Sequence, residues 1–440
     1  RRVLLLVNDH EATAVVDSFH IHDRYVQVEL ADSTHITSVG HAFLRNCRHL
    51  VTLDWGSDTT RSGIVRLSHT FLYSCESLTS VDLSGLTNLT AIGGWAMSCC
   101  TCLTSVHFGE MADVTEIGEG LLAVCPALPS IDLSRSFAQL PEIGDRFLGE
   151  CHGMTAVRLT GLTNVQVIGD DFLRKCLRLT LVDFAAADAE GREHHPITRV
   201  GCHFLSECRS LTACDLTCLK HVSTIGAFFL HGCHGLTSVR IGTLHGVVTV
   251  GRSFLRDCQQ LGGIDLATSL PNVRTVGCHF LSGCVGLKAL DLRSLSCAVT
   301  FGGYCFDECR ALTHIDLTAL RNVTRVGGYF LHNCVSLSHV DFSGLVRLAA
   351  VGGSFLSGCT GLLAADFSEL HSLTWIERFF MHQCRHVTIV KLSPAHCLKF
   401  VGAYFLRDCV ALTQLDVGRT VAVGAGFLRH CPNLTSVSME

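Results

Sequence analysis

Read as apolar and polar positions, the chain repeats itself about every 25 residues. The segments ending at Cys334, Cys359, Cys384 and Cys409 read V-G-G-Y-F-L-H-N-C, V-G-G-S-F-L-S-G-C, I-E-R-F-F-M-H-Q-C and V-G-A-Y-F-L-R-D-C. Three residues after the cysteine stands a leucine (Leu312, Leu337). Three later comes an apolar residue such as Ile315 or Val340, then a polar and another apolar one, as in Ile315-Asp316-Leu317. That alternation predicts a half-buried strand. In the other half, h-G-x-x-F-(L/M)-x-x-C, Phe and Cys lie four apart, a spacing that predicts a short helical turn pointing both inward. The T-x-h-G approach, as in Thr324-Arg325-Val326-Gly327, predicts a second short strand. Glycine fills the second place in 14 of 16 units, Gly327 and Gly352 among them, with Ser68 and Glu377 the exceptions. Either a positive φ or close contact between coils explains that preference.

Such self-similarity describes one small unit stacked many times, each covering the face its neighbour leaves open. The expected fold is an α/β repeat, a leucine-rich-repeat solenoid. Its curved parallel sheet lies on the concave face, with short helical turns on the convex side. About 16 units occupy residues 26–440, with a loop insertion at 185–196, and residues 1–25 read as a strand-like lead-in or degenerate repeat. The unit resembles the BspA-like leucine-rich repeat family, whose pattern is h-G-x-x-A-F-x-x-C-x-x-L-x-x-I. Here F-L stands where that family prefers A-F, and a Leu such as Leu86 or Leu345 replaces the ladder Asn of many other leucine-rich repeats. The resemblance implies a binding or adhesion protein, often at microbial cell surfaces, and no enzyme activity. The chain lacks an initiating Met and stops just after a repeat strand, so a fragment of a longer protein is expected.

Composition narrows the classes. Hydrophobic residues at 48% and charged residues at 17% describe a well-buried array and exclude disorder. A net charge of -5 without a basic stripe argues against nucleic acid as a partner. No apolar run approaches the roughly 20 residues that span a bilayer. Twenty-five cysteines would ordinarily suggest disulfides. However, one recurs per unit at the same inward place, as at Cys284, Cys309, Cys334 and Cys359, which suits a small apolar residue in a narrow slot. These are expected to be free thiols beside a phenylalanine spine that includes Phe280, Phe330 and Phe355. Cys202, Cys208, Cys214 and Cys218 lie near His194, His195 and His203, but the paired C-x-x-C geometry of structural zinc is absent. No G-x-S-x-G, H-E-x-x-H or P-loop motif occurs, so no catalytic residue, cofactor or metal is assigned.

The outward strand residue is aspartate in 11 of 16 units, and Asp265, Asp291, Asp316, Asp341 and Asp366 follow one another without a basic break. Elsewhere Arg158, Arg240 and Lys391 each fall between two aspartates. Charges ~5 Å apart repel by about 0.8 kcal/mol in water, so such a run requires relief. Bonds from nearby Thr or Ser groups would make it a solvated lane, whereas a basic partner or a cation would make it a groove. His314 and His339 precede Asp316 and Asp341 by two places on the same face. The expected function is a non-enzymatic scaffold whose concave face takes a protein ligand of unknown identity, at a cell surface. The alternative is an intracellular scaffold belonging to a larger protein whose effector domain lies outside this stretch. Compartment and oligomeric state stay open.

Overall fold

The computed structural model describes residues 3–6, 14–15, 17–18, 25–30, 36–55, 63–184, 196–392, 398–417 and 422–438. Apart from Pro196, the expected insertion lies outside them. Two compact units, Arg1–His221 and Val222–Glu440, are taken in turn.

In the first unit the strand pairings among the described residues are parallel and join one repeat to the next. On the aspartate side Val3–Leu6, Gln27–Leu30 and Thr52–Asp54 form one ladder, Ser80–Asp82 and Ser105–His107 a second, and Ser130–Asp132, Ala156–Arg158 and Leu181–Asp183 a third. Two-residue strands from Ala14–Val15 to Arg199–Val200 run along another side of the coil. The second unit repeats the plan. Its two-residue strands follow one another from Thr224–Ile225 to Phe400–Val401, and Ala364–Phe367, Ile389–Leu392, Gln414–Asp416 and Ser436–Ser438 form the longest aspartate-side ladder. Threonine hydroxyls reinforce the stack: those of Thr313, Thr388 and Thr413 donate to the carbonyls of Lys288, Leu363 and Thr388, one coil back, each at 3.1 Å.

The F-(L/M)-x-x-C segment departs from expectation, because it is not a helical turn. Alternate residues take the left-handed region: Tyr329 (φ 62), Leu331 (φ 54) and Asn333 (φ 55) in one coil, Phe379, Met381 and Gln383 in another. Their amides then point to different neighbours. Those of Tyr329 and Asn333 donate forward to the carbonyls of Gly353 (2.7 Å) and Ser357 (2.8 Å), and that of Leu331 donates back to Cys305 (3.1 Å). A left-handed conformation costs a side-chain-bearing residue about 1–2 kcal/mol. The coil accepts that cost because bonds to both neighbouring coils replace the bonds within one turn that a helix would make. Among the described residues the two helical segments with defined bounds are the 3-10 turns Thr217–Leu219 and Arg293–Cys297.

The same curl turns Phe and Cys inward, as the spacing predicted. Phe330 and Phe355 stack at 5.6 Å between centroids, Phe254 and Phe280 at 5.4 Å, and Phe355 and Phe380 at 5.4 Å. The thiols of Cys284, Cys309, Cys334 and Cys359 lie beside them, buried and free. Each donates to a carbonyl of the preceding coil: Cys284 to Leu255 (3.1 Å), Cys309 to Leu281 (3.2 Å), Cys334 to Phe306 (3.2 Å) and Cys359 to Leu331 (3.0 Å). Cysteine is thus more than an apolar filler, since it supplies the donor that the left-handed residue's carbonyl needs. Burial pushes the thiols of Cys284 and Cys359 up to about 12. The repeated glycine answers to close approach and not to a positive φ. A Cβ on Gly327 would lie 2.5 Å from the Gly303 nitrogen, and one on Gly352 would meet the Gly328 nitrogen.

Candidate functional site: the aspartate lane

The strand pattern puts the aspartates on one face. Asp291 is in register with Asp316, which bridges to Asp341, and Ala289 is in register with His314. Asp366 faces Lys391, which faces Asp416 on the following strand. Asp265 belongs to the same series but lies outside any strand. Asp265, Asp341, Asp366, His314 and His339 are exposed, and Asp291 and Asp316 are half-buried.

One feature recurs along the lane. An Oδ1 atom accepts the backbone N–H two residues on: Ala267 to Asp265 (3.0 Å), Arg293 to Asp291 (2.9 Å), Thr318 to Asp316 (2.9 Å), Ser343 to Asp341 (2.8 Å) and Ser368 to Asp366 (2.9 Å). Each aspartate therefore closes an Asx turn that carries the chain out of its strand. The buried leucine that follows, such as Leu320 or Leu345, donates its N–H to Leu317 or Phe342 and completes the turn. This replaces the ladder Asn of other leucine-rich repeats.

The turn also relieves the charge. Hydrogen bonds from the Arg293 guanidinium hold the Asp291 carboxyl below its ordinary value; the Ser343 N–H and hydroxyl do so for Asp341, and the Ser368 hydroxyl, helped by Lys391, for Asp366. Arg293 binds Asp291 Oδ2 through Nε (2.7 Å) and Nη2 (2.6 Å), and Lys391 lies 3.5 Å from Asp366 Oδ2. The carboxylates face outward, with no ion pair to Asp316 or Asp341 among the described residues.

A profile of the BspA-type leucine-rich repeat region matches residues 18–110, 65–188, 194–298, 223–363 and 347–440. The chain belongs to this family. Among solved structures, a leucine-rich repeat protein from Bacteroides ovatus superposes with a TM-score of 0.55 at 15% identity, over 95% of this chain and 87% of that one. That likeness shows a shared fold. The pneumococcal vaccine antigen PcpA is also similar, with a TM-score of 0.39 at 11% identity over 97% of this chain and 84% of its own. A leucine rich cell surface protein from Faecalibacterium prausnitzii gives 0.31 at 18%, over 70% and 88%. No curated protein matches in sequence. No helix among the described residues is long and apolar enough to cross a membrane.

In this BspA-type protein Cys208 is a framework cysteine whose thiol donates to the Leu173 carbonyl at 3.2 Å, and the off-frame Cys214 and Cys218 are also buried; among the described residues none of them belongs to a converging ligand set, and His194 and His195 lie outside those residues. His314 and His339 likewise join no converging ligand set. The one such set among the described residues is Asp307, Glu308 and His332, on the curl that replaces the helical turn. Its groups already match one another, His332 Nδ1 lying 2.8 Å from Asp307 Oδ1 while Arg310 and Asn333 bind Glu308 at 2.7 Å. Sequence spacing missed the trio because 25 residues separate Asp307 from His332, and only the coil period brings them together. The same period, applied to that position, would have found it.

Proposed function

We propose that this BspA-type repeat is a non-enzymatic scaffold whose aspartate face takes a basic segment of a protein ligand. The observation that supports it is the row Asp291, Asp316 and Asp341, in register and each closing an Asx turn that leaves the carboxylate outward. Leucine-rich repeats are a scaffold commonly used for protein binding, and electrostatic complementarity supplies specificity and rapid encounter. The test is affinity capture from the source organism's extract with the whole chain and with Asp291→Lys, Asp316→Lys and Asp341→Lys combined. Loss of specific partners supports the reading, and their retention unchanged overturns it.

A second reading, an intracellular scaffold within a larger protein, draws on the thiols. Cys284, Cys309, Cys334 and Cys359 are free thiols, and each serves as a hydrogen-bond donor. Complete alkylation of unfolded, unreduced protein from its native host supports that compartment; disulfide-linked peptides overturn it.

A further inference from the structure

The two-residue strands of the second unit set one outward residue per coil in a single column. Thr300, Arg325, Ala350, Trp375 and Phe400 follow one another there, each in register with the next. Ile376 points into the core, so strand alternation turns Trp375 to solvent. Its side chain is 47% exposed, whereas Trp55 is buried and Trp95 binds Glu119 through its indole N–H at 2.9 Å. One face of the Trp375 ring is covered, because it stacks on Phe400 at 4.4 Å between centroids and 29° between planes. On the other side the neighbour is Ala350, whose methyl group leaves the second face open. With coils ~4.8 Å apart, Arg325 stands roughly 10 Å from Trp375 along the column. The place between them, above Ala350, has room for one more ring in the stack.

The charges around this slot are unmatched cations. Arg325 is exposed at one end and Lys399 beside Phe400 at the other, and neither side chain has a partner among the described residues. Glu377, two residues after Trp375, is turned to the Gly353 N–H, which it accepts at 2.9 Å. An open indole face carries negative charge density and attracts the weakly positive C–H groups of a saturated ring. A free guanidinium favours a carboxylate, which it can bind through two parallel hydrogen bonds. An aromatic side chain of a protein would meet the first demand and not the second. Nucleic acid would meet both, but its backbone calls for a longer run of cations than this column supplies. We propose that the slot binds an acidic glycan, one uronic acid ring lying over Ala350 against Trp375 with its carboxylate on Arg325. The site lies on a different column from the aspartate lane and stands whether or not that lane takes a protein.

The probes are tetrasaccharides of galacturonate and of hyaluronan, each titrated by calorimetry into the full chain beside its methyl-esterified form. At least one is expected to bind saturably and to quench tryptophan fluorescence, and esterification is expected to weaken it at least tenfold. Trp375→Ala and Arg325→Gln should each cost at least tenfold. Ala350→Tyr, which fills the slot and lengthens the stack, should abolish binding with the melting temperature unchanged or raised, so that lost binding is not lost folding. Asp316→Asn with Asp341→Asn should leave affinity within twofold, and a loss there as large as in Trp375→Ala overturns the site. Absence of saturable binding to either sugar overturns it too, as does unchanged affinity in Trp375→Ala or Ala350→Tyr. Equal binding of an esterified form refutes the acidic class. An oligothymidylate that binds more tightly than either sugar overturns the glycan in favour of nucleic acid.

Discussion

The curl before each framework cysteine makes an opposite stability prediction from the helical turn that its spacing suggests. Gly358 sits in the left-handed region at φ +75 with its N–H bonded to the His382 carbonyl at 2.7 Å, and Gln383 holds the equivalent place one coil later at φ 61. Placing a Cβ on Gly358 costs about 1–2 kcal/mol for the left-handed conformation. Stiffening of the unfolded chain returns about 0.4–1 kcal/mol, so Gly358→Ala should destabilise by about 0.5–1.5 kcal/mol. The added Cβ would also meet Asn333 Oδ1, whose amide Glu308 holds at 2.7 Å, so moving it aside adds to the cost. In a helical turn the same substitution would stabilise by about 1 kcal/mol. The two structures thus differ by about 2 kcal/mol and in sign. Gln383→Gly supplies the converse: neutral or stabilising in the curl, destabilising by about 1 kcal/mol in a helix. Urea unfolding followed by circular dichroism resolves differences of this size, and in units of this length each kcal/mol moves the melting point by about 2–4 °C. A more stable Gly358→Ala together with a less stable Gln383→Gly would refute the left-handed curl.

Three further outcomes follow from the same contacts. Cys359→Ala removes a buried thiol and leaves the Leu331 carbonyl without its 3.0 Å donor, which should cost about 1–3 kcal/mol in urea unfolding. Iodoacetamide at pH 8 should label the exposed Cys102, Cys278 and Cys297 in the native chain and spare Cys100, Cys284 and Cys359, whose burial raises them to about 12; mass spectrometry reads the result. Asp291, Asp341 and Asp366 have folded values below their ordinary ones, so their contribution is present above the ordinary carboxylate range and is lost as pH falls through the folded values. Urea midpoints should therefore drop below about pH 4, and Asp341→Asn, which keeps the turn without titrating, should flatten that drop.

The strand side of the coil was legible because period-two alternation needs no knowledge of neighbours: Ile315, Leu317 and Val340 point inward where the pattern puts them. The phenylalanine spine, the buried thiols and the outward aspartates follow from the same modular position. The curl was not legible. Phe330 and Cys334 turn inward in a helical turn and in the alternating conformation alike, and what decides between them is the carbonyls of Gly353, Ser357 and Cys305, each about one coil away. Bonds from nearby Thr or Ser groups to the lane were among the expectations, and the Thr318 hydroxyl donates one to Asp316 at 2.6 Å, but the Asx turn that the Thr318 N–H closes was not read from the pattern.

The bonds between coils have a direction. The thiol of Cys359 and the hydroxyl of Thr388 reach back to the coil already made, while the amides of Tyr329 and Asn333 reach forward to the one that follows. A chain leaving the ribosome can therefore dock each new coil on its predecessor as soon as about 25 residues emerge. The growing end always carries two forward-facing amides that the next coil must receive. Synthesis and assembly run the same way, and a stalled chain would expose that end as an adhesive tip.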